Sequence, residues 1–343
     1  MVPATDMLAS SNGSKETPGV TERDELIILT PVYNDWKVLG LLLAQLDAEL
    51  LANGASASVV AVNDGSQDPV DLPALSLKAL RTVEVLHLRR NLGHQRAIAV
   101  GLAYVEANLP CAAVVVMDAD GEDQPKDILR MVAEWRQSKA DKVVFALRKR
   151  RSEGLVFRVC YTLYRWVFKA MTGQAIRVGN FSVIPRSLLR RLVAASEIWN
   201  HYASGVQRAR VPCIYLPTDR GKRLAGHSTM NFVSLVTHGM SAMSVHAETI
   251  GTRMLVLAIV LGLLIVCAML VVVGVRLFTT LAIPGWATFV LGLLSLMLLQ
   301  IFFIALFFAG TVLHGRNAYT FLPSRDHSHF VDVLELIHVT REG

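Results

Sequence analysis

The stretch Val114–Pro125 reads VVVMDADGEDQP, an apolar run that ends in four carboxylates, Asp118, Asp120, Glu122 and Asp123, within six positions. Carboxylates this close repel one another, and each costs several kcal/mol to desolvate unless it is paired or bound to a cation. Hard oxygen donors in an Asp-x-Asp spacing suit Mg²⁺ or Mn²⁺, which are held by a few carboxylates together with substrate phosphates. Alternation along an extended chain aims Asp118 and Asp120 to one side, with Glu122 next if the chain stays extended. Asp118, Asp120 and Glu122 are therefore the expected metal ligands. Asp123 is expected to cap a helix that starts near Pro125.

Hydrophobic patterning names the elements that must hold these acids. Glu25–Pro31, Ser58–Val62, Val83–Leu88, Ala112–Met117 and Lys142–Leu147 are short apolar runs of the kind that form buried strands. Helical spacing occupies Trp36–Leu51 and a stretch near Arg96–Ala107. Alternating strands and helices predict an α/β fold with a mostly parallel sheet covered on both faces. Ligands in such sheets bind at the carboxyl ends of the strands. The polar clusters Tyr33-Asn34-Asp35, Asp64, Arg90–His94 and Asp118–Asp123 all fall at such ends.

The 343 residues are 52% apolar, and the excess is concentrated in Met254–Phe278 and Ile283–Leu313. Each block holds an uncharged run of about 20 residues, enough for a ~30 Å hydrocarbon core, so a two-span membrane hairpin is expected rather than two buried core helices. Met1–Asp24, rich in Ser, Thr, Gly and charge without an apolar h-region, reads as a disordered leader that keeps the N-terminal part in the cytoplasm. Arg253, Arg316 and Arg325 fit the positive-inside tendency, and Arg276 opposes it. Leu155–Gly173, basic and aromatic-rich, and Asn231–Ile250 are the expected interfacial helices. Cys111, Cys160, Cys213 and Cys267 form no CxxC pair, which excludes a zinc ribbon or disulfide framework and suits a reducing compartment. The net charge of +6 is clustered at Arg148–Arg151 and at Arg220, Lys222 and Arg223, next to the spans. That placement favours an anionic lipid surface or a phosphate ligand over nucleic acid. His327-x-His329 reads as solvated polypeptide.

Four motifs in order carry a family resemblance: Pro31-Val32-Tyr33-Asn34-Asp35, Asn63–Asp68, Arg90-Asn91-Leu92-Gly93 and Asp118–Pro125. They resemble those of inverting family 2 glycosyltransferases with a GT-A fold. Two C-terminal spans and Arg220-x-x-Arg223-x-x-Gly226-x-Ser228 resemble the polyprenyl-phosphate members of that family. The resemblance implies a catalytic domain over 25–225, a juxtamembrane helix over 226–252, two spans over 253–313 and a cytoplasmic tail over 314–343. It implies a nucleotide-diphosphate sugar donor (UDP- or GDP-linked), a polyprenyl phosphate acceptor, Mg²⁺ or Mn²⁺, a homo-oligomer such as a tetramer, and a bacterial inner-membrane location with the catalytic domain cytoplasmic.

Carried over by position, Pro31, Tyr33, Asp35, Asp64, Gly93, His94, Asp118, Ala119 and Asp120 would hold the donor. Asp120, Arg220 and Arg223 would be catalytic. Arg148, Arg158, Thr162 and Arg220 would meet the acceptor phosphate. Glu122 stands where relatives commonly have Gln, and Asn180 where they often carry Asp. A phosphomonoester has its second pKa near ~6, so the acceptor is already largely a dianion at neutral pH and needs no protein base. A processive polysaccharide synthase, a transferase to another lipid and a non-catalytic nucleotide-sugar-binding scaffold are the rival readings.

Overall fold

The computed structural model describes residues 25–73, 76–138, 141–148, 155–174, 178–225, 232–280, 285–317 and 321–340. The expected leader, Lys149–Arg151, Gly226 and Ser228 lie outside the described residues. The strands and helices expected up to Leu147 form: β1 (Leu26–Val32), α1 (Trp36–Ala52), β2 (Ala57–Asn63), β3 (Leu80–Leu88), α2 (His94–Asn108), β4 (Ala113–Val116), α3 (Pro125–Gln137) and β5 (Val143–Arg148). Every residue of β1, β2 and β4 is buried, as continuous apolar runs between two helical layers require.

The chain continues through α4 (Leu155–Thr172), β6 (Ser182–Pro185), α5 (Arg186–Val193), α6 (Tyr202–Arg208) and β7 (Cys213–Thr218). It then forms α7 (Phe232–Ser244), α8 (Ala247–Phe278), α9 (Trp286–Asn317) and β8 (Val331–Val339). The eight strands form one sheet in the order β7-β5-β6-β4-β1-β2-β3-β8. β6 runs antiparallel to β4 and β5, and β8 antiparallel to β3; the other pairings are parallel. Leu39, Leu42, Leu46 and Met131 fill the core on one face, and Ile98, Leu102, Leu192 and Tyr202 fill it on the other.

Pro31 sits in a central strand, where proline normally removes a ladder bond. Parallel pairing with β4 ends at Leu29–Val116, while Val32 accepts from Asp64 on the β2 side. By alternation the missing N–H of Pro31 faces the side where β4 has already turned away. Pro31 is buried in β1 opposite Val62, at the strand end that leads into Tyr33.

Three expectations are corrected. Asn231–Ile250 is not one helix: α7 ends at Ser244, and Ala247–Ile250 belongs to α8. Residues 314–343 are not simply a tail, because β8 rejoins the sheet. Its VDVLELIHV segment pairs with β3 from Thr82–Val339 to Leu88–Val331. Asp123 does not cap α3; Gln124 is the N-cap residue, and Asp123 accepts the backbone N–H of Asp118 at 3.0 Å.

α8 and α9 are each long and apolar enough to cross a membrane. They pack antiparallel, since Gly251 near the start of α8 lies against Val312 near the end of α9, where an added Cβ would sit 2.6 Å from its Cγ2. Their outward faces are apolar and exposed, including Leu263, Leu264, Phe302 and Phe307, as a lipid-facing surface would be.

Asp47 holds α1 to the segment that enters β3. One of its oxygens accepts the backbone N–H groups of Lys78, Ala79 and Leu80 at 2.8, 2.7 and 2.9 Å. Asp47→Ala strands those buried donors, and a loss of about 2–3 kcal/mol is expected. A lowered melting temperature of the detergent-solubilised protein would register it.

Candidate functional site

β1, β2, β3, β4, β5 and β7 all point their carboxyl ends to one edge of the sheet, and antiparallel β6 begins there. Loops from these strands meet at that edge. They are tied to one another largely by side-chain bonds to backbone, which fix loops more firmly than exposed ion pairs do.

The β1 loop turns at Asn34, a residue that tolerates its left-handed φ of 55°. Asn34 N–H donates to Ser66 Oγ at 2.9 Å, and its side-chain oxygen accepts from Gln67 N–H at 2.9 Å. Tyr33 and Asp35 stay exposed on either side of it, where a ligand can reach them. Asp64 is spent differently. It is 3% exposed, and its two oxygens accept from the N–H groups of Leu92 and Gly93 at 2.7 and 2.9 Å. Burial raises its pKa, while these two bonds and His94 pull it down. Asp64 therefore shapes this edge of the sheet by holding the loop before α2. Gly93, at φ 90°, is the N-cap of that helix. Gly65 lets the two loops close: an added Cβ would lie 2.5 Å from the N atom of Asn91.

The acidic stretch does not stay extended. Gly121 takes φ 80°, and a Cβ there would press on the Leu224 side chain, so this turn favours glycine. The turn separates the acids that the sequence grouped. Asp120 accepts Glu122 N–H on Oδ1 at 3.0 Å and Arg223 on Oδ2 at 2.8 Å. Glu122 accepts from Arg220, whose Nε donates at 2.8 Å. Backbone bonds from Gly221 to Glu122 and from Leu224 to Asp120 align the two segments. Ala119 turns its side chain into the core, leaving only its backbone at the edge.

Asp118 faces another cluster. Its Oδ1 lies 3.2 Å from His94 Nε2 and 3.4 Å from Asn180 Nδ2. Asn180 also contacts His94 Nε2 at 2.9 Å and accepts from Gln95 at 3.2 Å, and Gln95 in turn accepts the Tyr202 N–H at 2.6 Å. Desolvation lowers the His94 pKa, but the Asp118 carboxylate, helped by Asp64 and Asp120, more than reverses this, and the net shift is upward.

Sequence reasoning missed Gln95, the Asn34–Ser66 strap and the pairing of acids with arginines. The Asn63-Asp64-Gly65-Ser66 turn was the visible signal for the strap. Nothing in residue types alone assigns Arg220 to Glu122 across 98 positions. Arg148 ends β5 on the site edge, Arg158 lies on α4, and the side chains of both are outside the described residues. Thr162 is exposed on α4.

Among the described residues, no group of three His, Cys, Asp or Glu side chains is arranged to hold a metal ion. The triad of Asp118, Asp120 and Glu122 is thus not assembled, because the Gly121 turn directs Glu122 to Arg220. Two carboxylates remain, Asp118 and Asp120. That donor set fits a Mg²⁺-type cation, which completes its shell with substrate oxygens and water.

Residues 27–197 match the family model of glycosyl transferase family 2, and the chain belongs to that family. It is 28% identical over 280 residues to the uncharacterized glycosyltransferase YkcC of Bacillus subtilis, covering 77% of this chain and 81% of that one. It is 28% identical to the undecaprenyl-phosphate 4-deoxy-4-formamido-L-arabinose transferase of Klebsiella pneumoniae over 49% of this chain and 50% of that one. To the dodecaprenyl-phosphate galacturonate synthase of Rhizobium johnstonii it is 31% identical over 39% of each. The chain thus spans half or less of these two prenyl-phosphate enzymes. Among solved structures, it is similar to glucosyl-3-phosphoglycerate synthase of Mycobacterium tuberculosis in complex with Mn²⁺, UDP-glucose and phosphoglyceric acid. That likeness is 13% identical over 66% of this chain and 80% of that one, with a TM-score of 0.46.

In metal-free protein, His94 is expected to titrate above its ordinary 6.5, and Asp118→Asn to lower the midpoint, as followed by NMR of the ring protons. A raised folded-state pKa stabilises the folded chain fully below the unfolded value. That contribution is lost as the pH rises through the raised one.

Proposed function

We propose that this family 2 glycosyltransferase moves a sugar, with inversion, from a nucleotide-diphosphate donor to a polyprenyl phosphate at the cytoplasmic face of a bacterial inner membrane. The observation that carries the reading is one sheet edge where two free-facing donor loops, the Asp118/Asp120 pair and two arginines converge, in a chain that also forms an apolar hairpin. The names of the two prenyl-phosphate relatives support the acceptor class.

In the proposed reaction a phosphate oxygen of the acceptor attacks the anomeric carbon. The bond from that carbon to the donor's diphosphate breaks, and the electron pair leaves with the nucleoside diphosphate. No proton need be removed from an acceptor that is already a dianion at neutral pH. Asn180, which cannot act as a base, suits this chemistry: it donates to Asp118 and fixes that carboxylate beside His94. Tyr33 and Asp35 would hold the nucleotide base and ribose; their exposure and the Asn34–Ser66 strap that keeps their loop in place support this.

Asp118 and Asp120 would hold Mg²⁺ or Mn²⁺, which supplies charge neutralisation to the departing diphosphate. Arg220 and Arg223 neutralise Glu122 and Asp120 in this structure. They lie close enough to the site to share their charge with an incoming phosphate. Charge neutralisation and positioning, rather than base catalysis, then account for the rate.

The test is glycolipid formation by the purified full chain, given undecaprenyl phosphate, Mg²⁺ or Mn²⁺ and a panel of UDP- and GDP-sugars. One donor should yield product, and Asp120→Ala should lower turnover by about 100-fold or more. If no donor gives glycolipid or metal-dependent hydrolysis, the enzyme reading fails.

A further inference from the structure

β8 follows the second apolar helix in sequence, yet it is bonded into the sheet beside the strand that leads to the donor edge. Both of its ends are pinned. Arg89 donates from its backbone to Phe330 at 2.9 Å and from Nε to Val331 at 3.1 Å. At the other end, Thr340 N–H donates to Arg81 at 2.8 Å and its hydroxyl to Leu80 at 2.7 Å. Glu335, in the middle of β8, is thereby held in register opposite Val85, diagonal to His87 on the same face of the sheet.

From Glu335 a line of side chains runs across β3 to β2. Glu335 Oε2 lies 3.0 Å from His87 Nε2, and His87 Nδ1 lies 3.0 Å from Asn63 Nδ2. Asn63 Oδ1 accepts the N–H of Ser66 at 2.9 Å. Each role in this line follows from the next. An acceptor toward Ser66 must be the Asn63 oxygen, so its amide nitrogen faces His87 and donates. His87 Nδ1 is then the acceptor, and its proton sits on Nε2 and donates to the Glu335 carboxylate. A carboxylate on β8 thus fixes the tautomer of His87, which fixes the amide of Asn63, which holds the Ser66 turn. Ser66 Oγ in turn accepts from Asn34, between the exposed Tyr33 and Asp35.

We propose that Glu335 and His87 are positioning residues for nucleotide binding, acting through Asn63 and Ser66 on the loop that carries Tyr33 and Asp35. The C-terminal strand is on this view a working part of the donor pocket, although none of its residues lines it. The inference rests on the donor site described above.

The experiment uses the full chain in detergent and measures binding of UDP and of GDP, each with Mn²⁺, by titration calorimetry. It also measures donor KM and kcat in glycolipid formation. Glu335→Ala and His87→Ala should weaken nucleotide binding and raise donor KM by about threefold to tenfold, one hydrogen bond's worth, with kcat within about twofold. Glu335→Gln, which keeps an acceptor for His87 Nε2, should restore most of the binding lost in Glu335→Ala. Glu335 is half exposed, so its variants fold, and melting temperatures close to wild type confirm this. Binding within about twofold of wild type in both alanine variants overturns the proposal. So does a fall in kcat at constant KM, or a Glu335→Gln variant as weak as Glu335→Ala. Wild-type protein that binds neither nucleotide overturns the donor-site reading itself, and the relay with it.

Discussion

Negative charge gathered at one sheet edge governs the architecture. Asp118, Asp120 and Glu122 stand on a single turn, and two carboxylates ~5 Å apart repel by roughly 3 kcal/mol at an effective dielectric near 20. Without ligands, the chain meets this with its own partners, the cations Arg220 on Glu122 and Arg223 on Asp120, and the His94 ring beside Asp118. The arginines can do so only because β7 runs parallel beside β5 and releases Asp219–Leu224 at the same edge. Asn180 reaches Asp118 because β6 is antiparallel and so begins where its neighbours end. The two irregularities of strand order, β6 inserted and β7 outermost, are what bring counter-charge and hydrogen-bond donors to the acids.

The parallel centre of the fold was legible because buried strands betray themselves as unbroken apolar runs, and β1, β2 and β4 are buried throughout. The margins were less so. β6 is four residues, too short for any period to register, and β7 is largely half-exposed and contains Pro217. β8 has no two-residue alternation, its polar residues Asp332, Glu335 and His338 falling every third position, and because it follows two apolar helices it read as a tail. Only its long-range ladder with β3 shows otherwise.

In the site, residue type disclosed the chemistry and backbone geometry decided the assignments. The Asp-x-Asp spacing singled out Asp118 and Asp120, and the strand end that carries them stands at the shared edge of the sheet. A positive φ at Gly121 then turned Glu122 away from them. Asp64, grouped by type with the exposed Asp35, is buried and holds the N–H groups of Leu92 and Gly93. Which atom a side chain faces depends on partners many residues away, and no local pattern encodes it.

The C-terminal strand also constrains the hairpin. α8 leaves from the catalytic layer, where Arg253 donates to the Ala170 carbonyl at 2.8 Å and Arg208 reaches Glu248 at 3.6 Å. β8 brings the chain back into the same sheet after α9. A chain that departs from a folded domain and must return to pair with β3 can enter an apolar layer and leave it only on one side. Two antiparallel helices satisfy this, and an odd number of crossings would not. The sheet itself therefore closes the loop that the apolar helices open, and strand pairing with β3 returns the chain after α9 to the domain it left at α8.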